Sequence, residues 1–127
     1  MIVNKNRPVN LDLSTVKFPI TAIVSILHRI SGVITLGGVI ILMWLLDASL
    51  ASEESFLSLQ EHLANPLVQF IVWAVLAALG YHLVMGTRHL IMDMGIGETL
   101  EGGRLGAKLA IFAAVVVILG AGWIVLW

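Results

Sequence analysis

The sequence predicts an all-α membrane protein with three transmembrane helices, on three observations. Hydrophobic residues make up 59% and charged residues 12% of 127 residues, with a mean hydropathy of +1.01. One soluble domain of this size cannot hide so much apolar surface from water. Three apolar runs, about 20–46, 67–92 and 107–127, each exceed the roughly 20 residues that span the hydrocarbon layer. The cations, finally, gather at the ends of these runs on one side only.

Backbone polar groups inside lipid must bond within their own segment, so each run is predicted as a helix. Pro19 precedes the first and Pro66 the second, positions where a missing N–H does no harm. Between them, 47–65 reads as a short acidic and Ser-rich loop, with an interfacial helical turn through Phe56, Leu57 and Leu59. Gly95 to Gly106 reads as a Gly-rich connector that stops the second helix and lets the third reverse. In the third run Gly106, Ala110 and Ala114 recur every four residues, and Gly120, Ala121 and Gly122 form a second small patch; both suit close helix contact. The whole chain, 1–127, is expected to be a single transmembrane domain.

Charge fixes the expected orientation. Lys5, Arg7, Lys17 and Arg29 lie before or early in the first run, and Arg88, Arg104 and Lys108 flank the second connector. Residues 47–65 carry no Lys or Arg but do carry Asp47, Glu53, Glu54 and Glu61. By the positive-inside rule the N-terminus and the second connector are cytoplasmic and the C-terminus periplasmic. Trp44, Trp73, Trp123 and Trp127 then fall in the outer half as an aromatic belt. The polar N-terminal stretch lacks the pattern of a cleavable signal or transit peptide, and a bacterial inner membrane is the simplest expectation.

Ionisable groups inside such runs point to ligands, cofactors or pathways. Ser25, Arg29 and Gly32 share one face of the first helix, with His28 one step around. Arg29 keeps its charge and suits an anionic or carbonyl group, or else snorkels to the headgroups. His82 is the deepest ionisable residue, about 9 Å further in than Arg88. It stands among Ala78 and Gly86 at four-residue spacing, which leaves room for a flat macrocycle or a close helix. Its nitrogens need a partner, and both haem iron and an interhelical hydrogen bond would serve. Arg88, His89 and Asp93 mark the membrane edge, with His89 and Asp93 spaced to pair. His62 is given no role, and Met43, Met85, Met92 and Met94 read as packing residues.

The composition also excludes. With no Cys there is no thiolate metal or iron–sulfur site, so haem could be held only by His, Met or Tyr. No phosphate loop, zinc signature, Ser-His-Asp order or basic nucleic-acid patch occurs. Substrate chemistry must therefore come from partner chains or a bound cofactor.

Three stretches together carry a resemblance: Arg7-Pro8-Val9-Asn10-Leu11-Asp12-Leu13; Phe18-Pro19-Ile20 onward through Ser25-Ile26-Leu27-His28-Arg29-Ile30-Ser31-Gly32; and Tyr81-His82 through Gly86, Arg88-His89 and Asp93. They closely resemble the cytochrome b membrane-anchor subunit of succinate dehydrogenase, over nearly the whole chain. Where many members carry a Ser-Pro-His-Leu type stretch after Arg-Pro, this chain has Val9-Asn10-Leu11-Asp12, a form similar to proteobacterial members. The resemblance implies a four-chain complex: a flavoprotein carrying FAD, an iron–sulfur subunit, and two small anchors, of which this is the larger. It implies a haem b shared with the second anchor, with His82 as one axial iron ligand and His28 and Arg29 near the propionates. It also implies ubiquinone bound at Ser25 and Arg29. Rival readings are the anchor of a related fumarate reductase, a haem-free transporter or proton path through His82, His28 and Arg29, and a purely structural anchor.

Overall fold

The computed structural model describes residues 15–126 as four helices: α1 (Ile20–Ala51), α2 (Glu53–Leu63), α3 (Pro66–Asp93) and α4 (Leu100–Leu126). Lys5, Arg7, the motif at residues 7–13 and Trp127 lie outside the described residues. Helices α1, α3 and α4 are each long and apolar enough to cross a membrane, which bears out the three-span fold class. The 11-residue α2 buries no side chain and links α1 to α3.

Local chemistry sets the helix ends. α1 continues about five residues past the expected limit, to Ala51. Hydroxyls support this extra turn: Ser49 donates to the Leu46 carbonyl at 2.7 Å and Ser55 to that of Ala48 at 2.6 Å. Ser52 ends α1 and caps α2 by accepting from the Ser55 amide at 3.0 Å, with Glu53 and Glu54 in the first turn, where the helix dipole favours them. The acidic loop is thus a helix with one full cap. Asn65 caps α3 through the Leu67 amide at 2.9 Å, with Pro66 at the first helical position.

The second connector is much shorter than 95–106. At the end of α3 Gly95 adopts φ 82°, its amide bonding the Met92 carbonyl at 2.8 Å while the Ile96 amide reaches that of Ile91 at 3.3 Å. This paired arrangement around a left-handed residue is a Schellman stop. Gly97, at φ 78°, completes the reversal, and Thr99 then caps α4 by accepting from the Gly102 amide at 3.0 Å. Gly102, Gly103 and Gly106 therefore lie inside α4, which begins seven residues before the expected Ala107. Read as turn punctuation, these glycines instead allow the start of α4 to lie close to its neighbours: a Cβ on Gly102 would come within 3.0 Å of the Gly97 backbone.

α3 is the central element, with α1 on one side and α4 on the other, and α1 meets α4 only lightly. The core comprises Val24 and Met85, fully buried, with Ala107, Ala110 and Ala114 of α4, backed by Ile20, Tyr81, Val84 and Ile111. The small stripe foreseen on α4 forms this seam at Ala110 and Ala114, but it continues through Ala107 and Gly103 and not through Gly106, which is half-buried. Of the second small patch, Gly122 packs against Trp73, whose indole N–H donates to the Ile118 carbonyl at 3.0 Å, while Gly120 is exposed with nothing close to it. Across the rest of the surface, apolar side chains such as Leu36, Ile40, Phe112, Leu119 and Ile124 are exposed. In a helix surrounded by hydrocarbon that surface needs no burial.

Candidate functional site

The site is built where α1 crosses α3. Four residues apart on α3, His82 and Gly86 present an imidazole and then a gap, and His89 follows one further turn along the same face. From α1, His28 fills the gap: a Cβ on Gly86 would lie 3.6 Å from its Nε2. The His28 and His82 rings stack with centroids 4.3 Å apart and planes at 16°, and His89 approaches the other side of His28 at 5.0 Å and 41°. Three imidazoles thus meet where two predominantly apolar helices cross.

One carbonyl organises the cluster. Ser31, 6% exposed, donates its hydroxyl to the His28 carbonyl at 2.8 Å. The same carbonyl lies 3.2 Å from His82 Nδ1, and Ser31 Oγ lies 3.3 Å from that nitrogen. A carbonyl can only accept, so the approach of Nδ1 to it is a hydrogen bond when Nδ1 carries the hydrogen. In that neutral tautomer the lone pair of His82 is on Nε2. Gly32 makes room for the ring: a Cβ there would stand 3.0 Å from His82 Cε1. Tyr81 adds a longer brace by donating to the Val24 carbonyl at 3.4 Å. His28 Nε2 and Thr35 Oγ1 are buried without a hydrogen-bond partner among the described residues.

The four residues singled out in the sequence divide. His82 and His28 are in direct contact. Ser25 is half-buried and Arg29 exposed, and neither bonds another described side chain or carbonyl; they sit on the same helix as His28 but outside the imidazole cluster. Two residues near the membrane edge behave otherwise than expected. His89 turns toward His28, while Asp93 is exposed and forms no ion pair among the described residues. Arg88 is only 8% exposed, donating through Nη2 to the Gly103 carbonyl at 3.1 Å. Distance along the helix placed it at the water boundary, but the early start of α4 covers it.

Sequence reasoning did not single out Ser31, which appeared only within a motif. A signal was available: Ser31 lies three residues after His28, the spacing at which a serine hydroxyl bonds back to a helical carbonyl. No sequence rule says that a second helix will share that carbonyl.

Three long apolar helices, two of them meeting at a histidine-rich crossing, define a multi-pass membrane protein. Residues 3–121 match the family described as succinate dehydrogenase/fumarate reductase transmembrane subunit, and the chain belongs to that family. Among its relatives, the succinate dehydrogenase cytochrome b556 subunit of Coxiella burnetii is 41% identical over 96% of this chain and 99% of its own length. That of Paracoccus denitrificans is 32% identical over 88% of this chain and 86% of its own. The succinate dehydrogenase cytochrome b560 subunit of Reclinomonas americana is 35% identical over 78% and 72%. The chain is thus a membrane subunit of an enzyme complex, which leaves the independent transporter without support.

Proposed function

We propose that the chain is the cytochrome b anchor of a succinate:ubiquinone oxidoreductase, with its N-terminus cytoplasmic and its C-terminus periplasmic in a bacterial inner membrane. Its partners in this reading are a flavoprotein with FAD, an iron–sulfur subunit and a second small anchor. All three relatives above carry succinate dehydrogenase in their names, which favours succinate oxidation over the reverse reaction.

The observation that carries the proposal is the state of His82. A histidine ligand to haem iron uses one neutral nitrogen and donates its other N–H to a carbonyl or water. The geometry suits that form: Nδ1 lies 3.2 Å from the His28 carbonyl, and with its hydrogen given to that oxygen Nε2 is left as the atom to bind a metal. The residues present fit haem b: His82 would hold the iron, and the second anchor would supply a further ligand. His28 and Arg29 supply polar and cationic groups for the propionates. Bound there, haem b would provide a one-electron redox centre in the membrane.

Quinone reduction requires donors to the carbonyl oxygens and a route for protons from water. Ser25 donates a hydroxyl hydrogen bond to a quinone carbonyl, and Arg29, always cationic, stabilises negative charge developing on the ring. Both lie toward the cytoplasmic end of α1, in the half where the iron–sulfur subunit docks. Their exposure on the three-helix bundle suits a pocket whose other walls come from partner chains.

Purification of the tagged chain in mild detergent, with identification of copurifying subunits and a reduced-minus-oxidised spectrum, tests the reading. A b-type signal with flavin- and iron–sulfur-bearing partners is expected; haem-free, partnerless protein would overturn it. Arg29→Ala should depress quinone reduction while succinate oxidation with an artificial acceptor continues. Unchanged quinone reduction would remove Arg29 from the pocket.

A further inference from the structure

Arg88 stands beside a cleft of about 500 Å³ between the end of α3 and the start of α4, a volume typical of ligand sites. Val84, Ile91, Leu105, Leu109 and Ala113 give the cleft an apolar lining. Over nine-tenths of Arg88 is buried, and a guanidinium cannot discharge itself by losing a proton. Among the described residues, Nη2 alone of its three nitrogens meets an acceptor, the neutral Gly103 carbonyl, while Nε is buried without a partner. Gly106, another lining residue, lies directly against that Nε: a Cβ on it would be 3.7 Å away. No carboxylate pairs with Arg88 among the described residues. A buried cation held by one neutral bond lacks its counter-charge.

We propose that this cleft binds an anionic phospholipid, its phosphate meeting Arg88 and an acyl chain lying along the apolar walls. Phosphate oxygens match the forked donors of arginine. Arg104 and Lys108 are exposed at the same end of α4 beside the equally exposed Asp93, Glu98 and Glu101, so the attraction for an anion rests on Arg88 itself. A free anion would gain nothing from the apolar walls, and a neutral hydrocarbon nothing from Arg88. Leu105 and Leu109 of its walls are also exposed on the apolar outer surface, which gives an amphiphile a way in from its own leaflet. The proposal is independent of haem or quinone at the α1–α3 crossing.

The test uses the detergent-purified, delipidated complex, to which phosphatidylglycerol, phosphatidylcholine of the same chains, or inorganic phosphate is added. Native mass spectrometry reads retained lipid and thermal unfolding reads stabilisation. Phosphatidylglycerol should be retained roughly tenfold more strongly than phosphatidylcholine: both carry the phosphate, but the choline cation makes the second lipid net neutral and leaves the buried charge of Arg88 without net compensation. Inorganic phosphate should not stabilise, and Arg88→Gln should erase the preference. Ala113→Trp fills the cleft without touching the guanidinium and should lower retention of phosphatidylglycerol, so it decides the matter even if Arg88→Gln fails to assemble. Equal retention of the two lipids, stabilisation by phosphate alone, or full retention by Ala113→Trp would overturn the proposal. So would loss of a soluble subunit from Arg88→Gln with the lipid preference intact, since Arg88 would then face a protein partner.

Discussion

Helix α3 has two packed faces that are built in opposite ways. Toward α4 it meets Ala107, Ala110 and Ala114, where the contact is closed by shape with Met85 completely buried in it, and near its end it opens into the cleft beside Arg88, whose Nε is buried without a partner among the described residues. Toward α1 it presents His82, Gly86 and His89 to His28 and Ser31, a contact organised by one shared carbonyl that still leaves buried polar atoms without partners. In lipid no hydrophobic force drives helices together, so close packing is enough for the first face. The second bears the cost of buried polar groups, and a structure carries that cost where function requires it. The glycines localise the polar part of the second face: Gly80 admits Val117 of α4 and, further along the α1 side, Gly38 admits Val75, where an added Cβ would fall within 2.7 and 2.5 Å, whereas beside the histidines Gly32 admits an imidazole.

Substitutions can break either face separately. The largest effect on stability belongs to the seam: Ala114→Leu, at a position 2% exposed, should destabilise by about 1–3 kcal/mol through overpacking, read by thermal unfolding. Next, Gly32→Ala should displace the His82 ring by a few tenths of an ångström, altering the haem spectrum while circular dichroism retains the helices. An unaltered spectrum would mean that the ring position does not govern the site. Trp73→Phe removes the indole bond to the Ile118 carbonyl and should cost about 1 kcal/mol, leaving the spectrum unchanged. Ser31→Ala should have the smallest effect. Removing the hydroxyl that shares the His28 carbonyl changes the hydrogen bonding of the His82 ring by about 0.5–1 kcal/mol, a potential shift on the order of tens of millivolts for one electron. A redox titration in which Ser31→Thr restores the wild-type value would separate this tuning from a packing defect.

The two faces also differed in how far the sequence revealed them. The three spans could be read directly, because long apolar runs have few alternatives, and so could the small-residue stripe of α4. The start of α4 could not: Gly102, Gly103 and Gly106 break helices by local preference, and only tertiary packing explains their helical state. The same shift hid the burial of Arg88, since the sequence gives its depth but not the element covering it. In the site, His82 and His28 were identified from their cost in hydrocarbon. Their stacking, the approach of His89 and the carbonyl shared with Ser31 depend on how α1 crosses α3, and periodicity within one helix does not encode a crossing.

The central claim is that the polar face of α3 exists to present His82 Nε2 to haem iron. The most direct test is the reduced-minus-oxidised spectrum of the complex purified with His82→Ala, alongside the wild type. We expect the variant to lose or strongly perturb the b-type band at unchanged helix content; a b-type spectrum identical to wild type would contradict the claim.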